Sequence, residues 1–402
     1  MITQSLFKTA GAGDGFRRFR VGDRGQIGVV HVDDLSAIQP FEGATNRTAI
    51  LTCTRGETKY PVPYSRWKRR ARAEPVRQED SITVVRTKLR IDAEDAFPVN
   101  RAKATSPWLT CRKGLVQTLS TALGRSDYAG RAHAGSCTWL NGVFWVQVLS
   151  VMPSGELVIE NQSDIGKKKV RQRRATVEPD LVFPLIRGRD VTPFSTTPTL
   201  AIILPQDPST RAPIPLGAMK KKYPKTFSFP ATFEADLRGR SGFKRYYDSS
   251  DPFYAIYNVG PYTVADFKVA WPEVGNTVQA AAVLPAPLPG HRVAPKPIVP
   301  DHTCIAIATD SRTEAYYLAA LLNSSVARQV VESYIVLHPS PHILDHVRIP
   351  LFDPKSSLHK TIAELGKRAA QHAQRDEAEG LGTAMKEIDE AAEEMWATLK
   401  SK

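Results

Sequence analysis

The sequence predicts an α+β protein. Short β-branched runs bounded by turn residues fill most of its 402 residues, and helical periodicity takes over only near the end. No internal repeat or long low-complexity segment interrupts that order. Gln26–Val32 (QIGVVHV) and Thr48–Thr54 (TAILTCT) read as neighbouring strands of one sheet, joined by a loop holding Pro40, Gly43 and Asn46. Two such strands cannot close a core, so the N-terminus is expected to be the end of a larger domain or to dock on a partner.

Tyr60 to Arg101 reads as a basic connector. YPVPY at Tyr60–Tyr64 leads into Arg66, Lys68, Arg69, Arg70 and Arg72, and VVRTKLRI at Val84–Ile91 is strand-like. From Trp108 onward short strands alternate with turns. Gly142–Ser150 and Glu156–Asn161 flank Pro153-Ser154-Gly155 as a hairpin. Lys167–Arg174 (KKKVRQRR) is a loop or helix end, and Thr199–Leu204 is a buried strand. Lys220–Arg245 reads as helix and loop broken by Pro224 and Pro230, and Pro252–Trp271 as strand-rich. Six prolines make Pro285–Pro300 an irregular surface loop, and Thr303–Thr309 is another strand. Ser311 caps a helix running to Tyr334, with Glu314 three residues on. Ser357–Leu399 predicts two helices parted near Gly380-Leu381-Gly382, the second with an apolar stripe at Ile388, Ala391, Ala392, Met395 and Leu399.

Charge narrows the partner. Lys and Arg number 54 against 41 Asp and Glu, for a net charge of +13 and a pI near 9.5. From Lys355 onward 8 basic residues face 9 acidic ones, so the excess lies in the body ahead of a nearly neutral tail. A polyanion is the implied partner and nucleic acid the default, although charge alone also admits an acidic protein or a membrane surface. No apolar run is long enough to span a bilayer, and Met1–Ala10 lacks the features of a signal peptide. Cys53, Cys111, Cys137 and Cys304 form no CxxC pair, which speaks against a disulfide scaffold or a zinc ribbon. A cytoplasmic protein with no membrane partner is expected.

Three groups suit a double helix, which needs cations for its phosphates and planar donors for its base edges. The first is Lys167, Lys168, Lys169, Arg171, Arg173 and Arg174, and the second is Lys220, Lys221 and Lys222, followed by Lys225. In the third, Arg238, Arg240, Lys244 and Arg245 stand beside Tyr246 and Tyr247, with Gly239 and Gly242 allowing close backbone approach. The cation runs also suit solvated loops, and the tyrosines also suit a core. His338, His342 and His346 are spaced by four, but Pro339 and Pro341 prevent the helix that would align them, so no metal site is expected. No Ser/His/Asp triad, carboxylate pair or nuclease motif stands out, and no catalytic residue is assigned.

Several segments, in order, resemble the back half of the Eco57I-like, type IIG, gamma-class adenine-N6 DNA methyltransferases. GDGFRRF at Gly13–Phe19, VVHVDDL at Val29–Leu35, Gln39-Pro40-Phe41, Thr45–Ala49 and Thr58–Tyr64 with Trp67 resemble the end of the catalytic domain. PLIRGRDV at Pro184–Val191, the Val264–Lys268 strand before Ala270-Trp271-Pro272, and YYLAALLNS at Tyr316–Ser324 resemble the TaqI-like specificity domain, as do His342–Phe352 and Ile388-Asp389-Glu390. The resemblance implies partial Rossmann-like strands over 1–75, a basic connector over 76–105, a strand-rich TaqI-like target-recognition domain over 106–354, and C-terminal helices over 355–402. In that setting Arg187 and Arg189 are either structural ion-pair partners or DNA contacts.

The resemblance implies double-stranded DNA as partner, a restriction-modification or phage-defence setting, and S-adenosylmethionine as cofactor of the complete enzyme. This sequence departs from the family at the chemistry. It holds no Asn/Asp-Pro-Pro-aromatic tetrapeptide, and no strand precedes the glycine run at Gly11–Gly15. The chain is therefore expected to bind no cofactor alone and to need a separate catalytic methyltransferase chain, whether it is a natural split subunit or a truncation. A non-catalytic DNA-binding scaffold and an independent enzyme with an unrecognised site stay open beside this reading.

Overall fold

Three sheets of four or more strands organise the chain in this computed structural model, which describes residues 2–400 apart from 4, 9–12, 24, 39, 42–46, 101, 102, 104, 113–118, 120, 276 and 335–339. Gly11, Ala12, Gln39, Gly43, Thr45, Asn46, His338 and Pro339, all used above, lie outside the described residues. Helices cover the second and third sheets and close the chain, which makes the fold α+β.

The first sheet runs in the order Ile2–Thr3, Thr48–Arg55, Ile27–Asp34, Val62–Arg69, Leu89–Pro98, Trp108–Arg112. The two expected neighbours pair antiparallel. Val62–Arg69 adds parallel to Ile27–Asp34, and every other pairing in the sheet is antiparallel. The stretch expected as a connector thus supplies interior strands. Its alternation explains why: Val62 and Tyr64 point into a core with Phe7, Phe19, Val32 and Trp108, while the intervening residues face outward. VVRTKLRI is not one strand. Ser81 caps a helix over Ile82–Lys88, its hydroxyl accepting from the Val84 N–H at 3.4 Å, and the strand begins only at Leu89. Here the cap outweighs the β-branched pair Val84-Val85.

The second sheet runs Arg174–Val177, Leu157–Asn161, Trp145–Val151, Leu200–Ile203, Val182–Ile186, Val299–Pro300 and contains the expected hairpin. Helices Leu216–Lys222, Pro224–Ala231 and Glu234–Arg238 pack on it through Met219, Phe229, Phe233 and Leu237. Pro224 opens a helix rather than breaking one, since its missing N–H falls where the helix has no acceptor to offer. Pro230 falls in the last turn of the same helix.

The third sheet, Ala281–Val283, Phe267–Pro272, Cys304–Thr309, Ala132–Ala134, carries helices Arg312–Asn323, Ser325–Tyr334, Ser357–Gln374 and Ala378–Lys400 on one shared core. Of the strand-rich expectation over Pro252–Trp271 only Phe267–Pro272 forms a strand; a 3-10 turn at Pro261–Thr263 precedes it. Ser311 caps as expected, accepting from the Glu314 N–H at 3.1 Å, while the Glu314 carboxylate takes the Asp310 N–H and the Tyr128 hydroxyl, both at 2.8 Å. The helix it opens stops at Asn323 and a second begins at Ser325. The two C-terminal helices part at 375–377, with Asp376 left-handed at φ 57°, so Gly380 and Gly382 lie inside the second helix. Its stripe is buried at Ile388, Ala392 and Met395. No described helix is long and apolar enough to cross a membrane.

Lys268 sits fully buried in the third sheet, its ammonium donating to the Ala265 carbonyl. Burial pulls its pKa down from 10.5 to about 7, against a smaller upward pull from Asp266. Between those two values the unfolded chain holds a proton that the native state lacks, so wild-type stability rises with pH across the window. Lys268→Met removes the penalty. The variant is expected to be more stable than wild type at pH 7, with the gap closing towards pH 10 by at most about 1.4 kcal/mol per pH unit. Urea midpoints of both proteins at several pH values check this, and a gap that does not change with pH refutes it.

Candidate nucleic-acid interface

The first basic run leaves the second sheet after Asn161, which fixes the base of the loop. The Asn161 amide donates to the carbonyls of Gly142 at 2.7 Å and Arg171 at 3.1 Å, and its oxygen accepts from the Arg173 N–H at 2.7 Å. The loop then crosses onto the helical layer. Lys168 Nζ meets Asp236 at 2.7 Å, the Arg171 guanidinium donates to the Thr232 carbonyl at 2.9 Å, and it lies 5.5 Å from the Phe233 ring centre. Lys169 donates to the Asp164 carbonyl, and Arg174 pairs with Glu160 at 2.6 Å. Arg173 Nε is buried without a hydrogen bond. Lys167 is exposed and makes no ion pair among the described residues.

Lys220, Lys221 and Lys222 form the last turn of Leu216–Lys222, where a helix C-terminus favours cations. All three are exposed; Lys220 lies over Phe227 and Lys222 over Tyr223. Lys225 pairs with Glu156 of the hairpin. The first group thus docks on residues 232–236, while the second ends a helix whose Met219 packs in the same core as Phe233.

The third group divides. Arg240 is buried and turned to main-chain carbonyls. Its guanidinium donates to the carbonyls of Leu237 at 2.8 Å, Thr138 at 2.7 Å and Phe253 at 2.6 Å, between the rings of Phe144 and Phe243. Burial lowers its pKa to about 10. Arg238 is half-buried, paired with Glu234 at 2.9 Å and bonded to the Ser249 carbonyl. Tyr247 is half-buried, its hydroxyl donating to the Ile256 carbonyl at 3.0 Å. Gly242 does permit a close approach, but to Trp139: a Cβ there would overlap the indole. Lys244, Arg245 and Tyr246 remain exposed.

Sequence reasoning missed Trp139 and Tyr257, which stack with Tyr246. Ring centres lie 4.5 Å apart for Tyr246–Tyr257, 5.4 Å for Trp139–Tyr257 and 5.6 Å for Trp139–Tyr246. No local pattern links Trp139 to Tyr246 and Tyr257, which lie in segments far along the chain from it. The basic cluster before Arg72 is visible as charge, yet its place on a sheet is not. Lys68, Arg69, Arg70 and Arg72 line an open polar groove of about 830 Å³ on the first sheet, where Lys68 pairs with Asp92 at 2.9 Å.

Arg187 is structural. It grips Asp190 with two bonds of 2.6 and 2.7 Å and donates to Thr199 at 2.6 Å, while Arg189 stays exposed. Both border a cavity of about 790 Å³ with Trp145, Gln279 and Thr303. In the described part of the glycine run, Gly13 packs on the Arg17 guanidinium, which bonds the Leu6 carbonyl at 2.6 Å, the Thr105 carbonyl at 2.8 Å and Asp14 at 2.7 Å. No group of three or more metal-ligating side chains occurs among the described residues.

No family model matches the sequence, and no curated protein does. Solved structures that are similar in part include two restriction enzymes. The type IIL restriction-modification enzyme MmeI, solved in complex with DNA, aligns at 9% identity over 92% of this chain and 43% of its own, with a TM-score of 0.48. The type IIG restriction endonuclease BpuSI aligns at 12% identity over 97% of this chain and 46% of its own, with a TM-score of 0.30. This chain spans less than half the length of either.

Proposed function

We propose that this chain is the DNA-recognition part of an adenine-N6 methyltransferase of a restriction-modification or phage-defence system. The 167–174 loop and the end of the Leu216–Lys222 helix hold duplex phosphates. A flipped adenine is presented to catalytic machinery on another chain, because its amino group cannot be reached inside the stack. S-adenosylmethionine is bound by that other chain. The observation that supports this reading most is the docking of the 167–174 loop, which carries six cations in eight residues, on residues 232–236 in a protein of net charge +13.

Two measurements test it. Duplex oligonucleotides should bind with an affinity that falls steeply as salt rises, since each phosphate contact releases counterions. Labelled methyl donor should give no turnover with the chain alone and turnover once a companion methyltransferase chain is added. Salt-insensitive or absent duplex binding rules the reading out, and methylation by the isolated chain rules out the division of labour.

A further inference from the structure

We infer that Trp139, Tyr246 and Tyr257 form a stacking platform for an unpaired nucleobase, an inference that rests on the nucleic-acid reading and adds a second kind of contact to it. The three rings are near-parallel, with interplanar angles of 4° to 27°, and Tyr246 and Tyr257 are 46% and 41% exposed. Core aromatics are covered; these offer ring area to solvent.

The fold builds this patch at a cost. Trp139 adopts a left-handed backbone at φ 52°, a strained state for a bulky residue. Antiparallel hydrogen bonds between Cys137 and Tyr257, at 2.9 and 3.0 Å, fix the first and third segments together. Arg240 ties the Thr138 carbonyl to the second, and the bare Cα of Gly242 admits the indole. Four independent devices thus hold the three aromatics in register.

The surroundings select the occupant. The Arg245 guanidinium lies 5.2 Å from the Tyr246 ring centre, and Lys244 is exposed beside it. Arg211, exposed at φ 61°, approaches the neighbouring His133–Tyr262 stack, whose ring centres are 4.0 Å apart. Flat apolar faces rimmed by cations suit a planar base on an anionic backbone, and stacking of that kind tolerates any base because every base has a π face. Paired bases inside a duplex present only edges, so the platform is selective for a base that has left its stack.

The test compares the full chain on a paired duplex and on the same duplex carrying one unpaired base. Wild type is expected to bind the second about tenfold more tightly. The double variant Tyr246→Ala/Tyr257→Ala should lose that preference while keeping paired-duplex affinity and its salt dependence. Tyr246→Phe/Tyr257→Phe, which keeps the rings, should retain it. Equal wild-type affinity for the two duplexes overturns the platform and leaves duplex recognition standing, as does a preference that survives in the alanine variant. Binding to neither duplex overturns both.

Discussion

Arg240→Met is expected to destabilise the protein by about 3–5 kcal/mol, because three buried carbonyls lose their guanidinium bond at once. The carbonyls of Leu237, Thr138 and Phe253 each accept from this one guanidinium. Its charge rests on them and on the faces of Phe144 and Phe243. Methionine fills the volume and donates nothing. Lysine keeps the charge, but its single ammonium cannot reproduce a planar fork reaching three directions, so Arg240→Lys should recover little. Calorimetry should show the transition involving the second core falling by roughly 6–20 °C, scaling the free-energy loss for a domain of that size. A DNA-contacting arginine behaves oppositely, with unchanged melting and weaker binding. That second outcome would return Arg240 to the interface.

What the sequence disclosed follows from the range of the forces involved. Ile27–Asp34, Thr48–Arg55, Leu200–Ile203 and Cys304–Thr309 were legible because their apolar runs are local, and so was the Ser311 cap, which depends on residues three apart. Errors arose where two local signals compete. At Val84-Val85 β-branching pointed to a strand while Ser81 nucleated a helix, and at 375–377 a left-handed Asp376 rather than the glycines ended one. The candidate site was half legible. Lys220 to Lys222 and Lys244 to Tyr246 were found as charge and aromatic runs. Yet Arg240 and Lys244, four residues apart, differ completely in burial, because only the former meets the carbonyls of residues 138 and 253. The same long-range folding brings Trp139 to Tyr246 and Tyr257, and no short window of sequence contains all three.

The ion pairs along the basic loop sharpen the last prediction. Lys168 is committed to Asp236 and Arg174 to Glu160, so a phosphate must compete for them, whereas Lys167 and Lys221 form no ion pair among the described residues and Lys220 meets only a ring. The triple variant Lys167→Ala/Lys220→Ala/Lys221→Ala should weaken binding to every duplex alike. It should make the slope of log affinity against log salt less negative by about 2.7, at about 0.9 for each phosphate no longer neutralised. Asp236→Asn should act in the opposite direction. It releases Lys168 and removes a repelling charge from the same surface, so duplex affinity should rise and the slope should steepen. A solvated loop with no ligand predicts no change for either variant, because exposed charges that meet no phosphate displace no counterions. The opposed signs make the pair diagnostic: a general loss of solubility or folding lowers affinity in both proteins, and only direct phosphate binding moves them apart. If the triple variant keeps its full slope, the duplex lies elsewhere, and the groove lined by Lys68, Arg69, Arg70 and Arg72 becomes the surface to neutralise next.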